Sequence, residues 1–261
     1  MKTIDKVLQK LSFVGFDPNT AYHNIKGLSW FYRDLRKLKS QLENQNEFPV
    51  QVMRPMLQDK RSDSGIMSGH YFHQDLHVAK AVFRDNPLRH VDIGSRTDGF
   101  VAHVASFREI EVFDIRPLEN KIGNIKFVQA DFMQPNSALT DYTDSISSLH
   151  AIEHFGLGRY NDPIDADGHL KGLSTIYHVL KKGGKFYFST PIGPQRIEFN
   201  AHRVFSLKYL LQLLLKDYKL DRYSFVDDIG DLHEDIELTD QLIAENCGCT
   251  YGCGIFELTK R

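Results

Sequence analysis

From His90 onward the chain reads as an α/β protein, a mostly parallel sheet with helices on both faces, preceded by an N-terminal helical extension. Three observations predict this. Short runs rich in β-branched and aromatic residues alternate with stretches of helical period. Conspicuous polar residues (Asp92, Asp114, Asp131, His150) fall at or just past the ends of those runs. Lys182-Gly183-Gly184 is a helix-stop and turn signal placed directly before another run. Such alternation buries a parallel sheet on both faces.

Each element follows from its residues. In 1–46 apolar positions recur at helical spacing through Val7, Leu8 and Leu11, then through Leu28, Phe31, Leu35, Leu38 and Leu42. A Phe16-Asp-Pro-Asn-Thr20 turn separates the two pieces. Residues 47–68, punctuated by Pro and Gly, read as a connecting segment, so 1–68 form an extension with its linker and 69–261 the main domain. A helix is expected over 71–84, with Pro87 closing that region. Strands are expected at 90–93, 110–114, 125–128, 145–149 (the weakest), 185–189, 222–226 and 254–258. Helices over 99–107, 168–181 and 206–215 intervene. Ligands of such sheets bind beyond the carboxyl ends of the strands, so the four polar residues are expected to converge on one crevice.

Composition narrows the function. The chain has 261 residues, 41% hydrophobic and 25% charged, with a net charge of −2. That balance gives no electrostatic reason to expect nucleic acid or an anionic membrane as partner. The cluster from Arg33 to Lys39 reads as a solvated helix face. The charged N-terminus lacks the apolar core of a signal peptide, and the greasy run from Tyr209 to Leu215 is too short to span a bilayer. Three cysteines, 247, 249 and 253, argue against a secreted disulfide framework, and a cytoplasmic protein is the expectation.

The loop after the first strand reads Asp92-Ile-Gly94-Ser-Arg-Thr-Asp-Gly99. Gly94 permits a tight turn and close ligand approach. Asp114 lies 22 residues after Asp92, at a second-strand end, where an acid grips the ribose hydroxyls of an adenosine cofactor. Arg96 stands where the dinucleotide fingerprint has its second glycine and crowds a pyrophosphate, which argues against NAD.

The ordered set Asp92-x-Gly94, Asp114, Asp131 and Lys181-Lys-Gly-Gly184 resembles class I S-adenosylmethionine-dependent methyltransferases over roughly residues 70–261. The stretches 69–76, 90–103, 149–163 and 191–205 resemble, more narrowly, a bacterial methyltransferase-like family associated with surface-polysaccharide biosynthesis. The resemblance implies a Rossmann-like methyltransferase fold, S-adenosylmethionine as cofactor and a sugar-type small-molecule acceptor. It implies that Asp92, Gly94 and Ser95 line the methionine end, with Tyr71 and Gln74 as further candidates for its carboxylate. Asp114 with Ile115 would hold the ribose, Asp131 and Phe132 would border the adenine, and His150 would lie beside the sulfonium. A turn-forming role is the alternative for Asp131.

Methyl transfer to an alcohol requires alignment and removal of a proton. His154 and His150 are the nearest bases, with His202 a third. Arg159 and Tyr160, in a glycine-punctuated loop, and Asn200, His202 and Arg203 are candidates for the acceptor. The alternatives are ordinary loop residues for the first pair and helix capping for the second group.

Three spellings suggest other chemistry. His150-x-x-Glu153-His154 is the inverted zinc-protease motif, but such ligands need a shared helix face, and Gly156 and Gly158 end any helix there. Tyr177-x-x-x-Lys181 has a dehydrogenase spacing, yet Lys181 abuts a helix stop. Cys247-x-Cys249-x3-Cys253 lacks a clear fourth ligand and reads as reduced loop thiols. No bound metal is expected, and the N-terminal helices are expected to serve as a lid or a homodimer contact.

Overall fold

The computed structural model describes residues 15–42, 47–62 and 64–261. The expected helical positions Val7, Leu8 and Leu11 lie outside them. The chain divides into two compact units, Met1–Ile66 and Met67–Arg261.

In the first unit, helix α1 spans Pro18–Gln41 and carries Leu28, Phe31, Leu35 and Leu38 of the second apolar set, with Leu42 as its C-cap. Asp17 caps it, accepting hydrogen bonds from the Asn19 and Thr20 amides, with Pro18 preset for the first turn. Gly27 is buried where Leu57 packs onto the helix. Lys60 pairs with Asp34 at 2.7 Å and lies over the Trp30 ring.

The second unit is built on an eight-stranded sheet. In chain order its elements are α2 (His70–Asp85), β1 (His90–Ile93), α3 (Ala102–Ala105), β2 (Ile110–Asp114), β3 (Ile125–Gln129), β4 (Thr143–Leu149), α4 (Gly168–Val179) and β5 (Leu180–Ile192). There follow β6 (Arg196–Glu198), β7 (His202–Val204), α5 (Leu207–Leu214), β8 (Tyr218–Val226), β9 (Leu232–His233), α6 (Asp240–Ala244) and β10 (Gly252–Lys260). The strand order is β3-β2-β1-β4-β5-β10-β8-β9. The first five strands are parallel, and β10 runs antiparallel between β5 and β8. This is the mostly parallel α/β sheet the sequence predicts.

Alternation along the strands feeds two cores. Val91, Ile93, Ile146, Phe186 and Phe188 pack on one face against Ile176 and Val179 of α4 and the leucines of α5. On the other face Val112, Leu149, Tyr187 and Ile255 meet Val78 and Val82 of α2 and Val104 of α3. The helix expected over 99–107 begins as a wide turn at Thr97–Val101 before α3. The Lys-Lys-Gly-Gly signal proves to be a bulge. Thr143 pairs with Leu180 and Ser145 with Lys185, so four residues loop out, with Gly183 at φ 76°.

His90, on β1, is buried between two serine hydroxyls, Ser145 Oγ at 2.8 Å and Ser147 Oγ at 3.2 Å. Burial, with a contribution from Arg108, pushes its pKa down to about 3. The folded value lies below the unfolded one, so its stabilisation is complete above pH 6.5 and fades as pH falls toward 3. The stability gap between wild type and His90→Gln should therefore narrow by about 2 kcal/mol between pH 7 and pH 5. Denaturant unfolding at both pH values checks this, and a gap independent of pH would count against it.

Candidate active site

The sheet reverses direction of travel between β1 and β4, and a cleft opens there beyond the strand ends. It holds about 800 Å³ of empty space, part of it open to solvent. Seven of the expected cofactor residues line it: Tyr71, Gly94, Asp114, Ile115, Asp131, Phe132 and His150. The other three do not. Asp92 is wholly buried, accepting hydrogen bonds from the Ser95 amide (2.9 Å), Ser95 Oγ (2.6 Å) and Ser147 Oγ (2.6 Å). Ser95 Oγ also accepts from the Leu149 amide at 3.0 Å. These two residues brace the turn from beneath rather than line it. Gln74 is buried too, accepting from Ser189 Oγ at 2.5 Å.

Gly94 has φ +71°, and a Cβ there would stand 3.0 Å from that of Ala151. The bare backbone lets the β1 turn pass beside the β4 turn. Asp114 ends β2 with its carboxylate held by Arg116, through Nε to Oδ1 at 3.0 Å and Nη2 to Oδ2 at 2.6 Å. Arg116 also lies over the Tyr160 ring at 4.4 Å. Asp131 both lines the cleft and forms a turn, accepting from the Met133 amide at 2.8 Å. Phe132 is buried edge-on against Phe113.

Sequence reasoning missed Arg96 and Arg116 as lining residues. Arg96 pairs with Asp98 at 3.0 Å and lies over the Tyr71 ring at 4.8 Å, so it borders the cleft beside the turn. Its place in the loop after β1 marks it in sequence as a side chain near the ligand, but its packing on Tyr71, twenty-five residues earlier, is visible only in the fold.

The residues His150 to His154 form no helix face. Only Ile152–His154 make a single 3-10 turn, and His150 sits at φ 50°. Both histidines nonetheless address the fully buried Glu153, His150 Nδ1 at 2.7 Å and His154 Nε2 at 3.8 Å. Burial opposes charge on His150, but the Cys253 sulfur and the Glu153 carboxylate outweigh it and push its pKa up to about 10. His154 is the opposite case: burial dominates and its pKa is lowered. Its Nδ1 bonds the Ala201 carbonyl at 2.6 Å, which fixes the tautomer and leaves Nε2 as an acceptor. With no metal bound, His154 therefore has at neutral pH the free lone pair a base needs, whereas the His150 lone pair is taken by a proton that only a stronger Lewis acid such as a metal ion displaces.

Of the residues expected at the acceptor, only Tyr160 lines the cleft, its ring edge-on to His154 at 5.4 Å. Arg159 donates to the same Ala201 carbonyl at 3.0 Å that accepts from His154 Nδ1. His202 lies behind, its ring 6.3 Å from His154 and its Nε2 3.3 Å from Glu198. Asn200 is exposed between β6 and β7. Arg203 requires correction as a substrate ligand. It is 5% exposed and spends its guanidinium on backbone carbonyls, Phe155 at 2.6 Å and Ala166 at 3.2 Å, clamping the 155–167 loop. Nor do these residues cap α5, which Ser206 caps through the Tyr209 amide.

That loop is tightly built. Asp162 Oδ2 accepts from the Gly156 and Gly158 amides at 2.8 and 3.2 Å. Gly156 has φ +78°, and a Cβ there would lie 2.0 Å from the Asp165 carbonyl oxygen. Gly156→Ala is expected to cost about 2–3 kcal/mol, read as a lower unfolding midpoint and faster proteolysis in 155–167. Unchanged protection would contradict this.

The remaining spellings dissolve. Tyr177 packs against Tyr218 and under Lys260, while Lys181 is exposed in the β5 bulge. Cys253 is no loop thiol. It lies in β10, paired with Pro191 and Val226.

A family model described as Caenorhabditis protein of unknown function, DUF268, matches residues 102–246, more than half of the chain. That description carries no association with bacterial surface polysaccharide. No curated protein matches the chain. Among solved structures, the chain is similar to 1,6-didemethyltoxoflavin-N1-methyltransferase of Burkholderia thailandensis, solved with 1,6-didemethyltoxoflavin and S-adenosylhomocysteine. The identity is 14%, over 71% of this chain and 78% of that one, with a TM-score of 0.50. The N-methyltransferase NodS of Bradyrhizobium japonicum, in complex with S-adenosylhomocysteine, is 12% identical over 86% of this chain and 97% of that one, with a TM-score of 0.47. The first likeness confirms the Rossmann-like methyltransferase fold expected from the strand and motif order. The chain belongs to the DUF268 family and carries that fold.

Proposed function

We propose that this protein is an S-adenosylmethionine-dependent O-methyltransferase whose acceptor is a hydroxyl of a sugar, sugar phosphate or nucleotide-sugar. The observation that carries the reading is the pairing of a ribose-type acid, Asp114, with a neutral, tautomer-fixed His154 in one cleft. The residues fit the cofactor. Gly94 leaves bare backbone at the β1 turn, Asp114 offers two acceptor oxygens, and Asp131 and Phe132 border the far side. Bound S-adenosylmethionine supplies an electrophilic methyl group. Arg116, already stacked over the Tyr160 ring, yields Asp114 oxygens as ribose hydroxyls arrive. Arg96 and Tyr71 serve the methionine carboxylate end.

His154 Nε2 takes the acceptor proton, and Glu153 steadies the imidazolium that results. Tyr160 and Arg159 flank that base and orient a polar acceptor, with His202 and Asn200 further out. Support for a sugar comes from this polar rim and from the sequence resemblance to surface-polysaccharide enzymes, whose cytoplasmic setting we adopt. No described helix is long and apolar enough to cross a membrane. The N-terminal extension that carries α1 is assigned to a lid or a homodimer contact.

The test is methylation of a nucleotide-sugar panel, followed by mass. A methylated product is expected, with turnover falling about 10²–10⁴-fold in His154→Gln while S-adenosylhomocysteine affinity holds. Full turnover in that variant would remove His154 as the base.

A further inference from the structure

Behind the cleft, α2, the β4 turn and β10 bring three donors together. One ligand atom each from His70, His150 and Cys253 lies within 4.8 Å of the others. Cys253 is completely buried and His150 is 8% exposed. The imidazole rings of His70 and His150 are stacked, with centroids 5.2 Å apart and planes at 8°. His150 Nδ1 is taken by Glu153 at 2.7 Å, and the remaining nitrogen, Nε2, is buried without a hydrogen-bond partner. A polar atom that is enclosed and unpaired needs an explanation.

We propose that His70, His150 and Cys253 bind a zinc-class divalent metal ion. Two imidazoles and a sulfur are the donor types such an ion takes, with a fourth position left for water or another ligand oxygen. Tetrahedral bonds to N and S place ligand atoms about 3.3–3.8 Å apart, so the present spacing closes by roughly 1 Å. His70 can supply that movement, being half-buried at the first turn of α2, where it meets the Tyr251 ring. Glu153 stands where a metal-bound histidine has its outer carboxylate, fixing the tautomer and orientation of His150. The sulfur and that carboxylate supply the anionic charge a divalent cation needs.

The inverted zinc-protease spelling thus contributes one ligand and its outer carboxylate, while His154 remains with the cleft. Metal binding here does not depend on methyl transfer, and each can fail alone.

The experiment is titration of the chelator-treated full chain with Co²⁺ and Zn²⁺. One equivalent should bind, with a sulfur-to-cobalt charge-transfer band that Zn²⁺ abolishes and that Cys253→Ser lacks. His70→Ala, at a partly exposed position at the start of α2, should weaken Zn²⁺ binding by at least ~100-fold with the unfolding transition still cooperative, since outer-shell losses alone reach that range. Absence of the cobalt–sulfur band in wild type, or Zn²⁺ affinity unchanged in His70→Ala, overturns the proposal.

Discussion

Asp114→Asn is expected to weaken S-adenosylhomocysteine binding by about 2–3 kcal/mol, roughly a hundredfold. The carboxylate offers two charged acceptor oxygens to the cleft, and both are now engaged by Arg116. Asparagine keeps the shape but replaces one acceptor with a donor and removes the charge. Arg116 then loses its partner and faces the ligand uncompensated. The side chain ends β2, is 12% exposed and accepts from the Arg116 amide and guanidinium, so the unfolding midpoint should also fall by a few degrees while the chain stays folded at assay temperature. Calorimetric titration measures the affinity. Unchanged binding would show that Asp114 does not touch the cofactor.

The largest expected effect on stability is that of Glu153→Ala. Glu153 is fully buried, bonded to His150 at 2.7 Å and approached by Thr190 Oγ1 at 3.5 Å. Removing one partner of a buried pair strands the other charge, at a cost of about 3–5 kcal/mol. In a unit of this size that lowers the unfolding midpoint by about 10 °C. Thermal unfolding checks the size of the loss. Glu153→Gln separates charge from volume: it should recover part of the packing but not the ion pair. A midpoint equal to wild type in both variants would mean that the pair contributes nothing to the fold.

The sheet was legible where strands are β-branched or aromatic. β1 and β2 fall at their expected bounds because Val, Ile and Phe there serve the cores on both faces. β4 is weaker in sequence because its serines do not signal burial. They are buried as hydrogen-bond partners of His90 and Asp92, which hydropathy cannot register. The segment after β5 carries no expected element because β6 and β7 are three residues each, too short for alternation to show. Arg203 looks like a surface ligand in sequence, and only the fold brings four backbone carbonyls to it.

The site was legible to the extent that it lies at strand ends. Gly94, Asp114 and Asp131 follow from that rule. Asp92 obeys the same spacing yet points beneath the turn, since alternation sends it into the sheet face shared with Ser147. The difference between His150 and His154 was invisible in sequence. It arises from what each nitrogen meets, Glu153 for one and the Ala201 carbonyl for the other. Cys253 resembles a loop thiol because glycines flank it, but Gly252 and Gly254 are strand residues of β10.

The central claim is that the cleft beyond β1, β2 and β4 holds an adenosyl cofactor without a pyrophosphate. Titrating the full chain with S-adenosylhomocysteine, and separately with NAD, tests it most directly. One equivalent of S-adenosylhomocysteine should bind, with no heat from NAD. Saturable NAD binding, or no binding of S-adenosylhomocysteine, would contradict it.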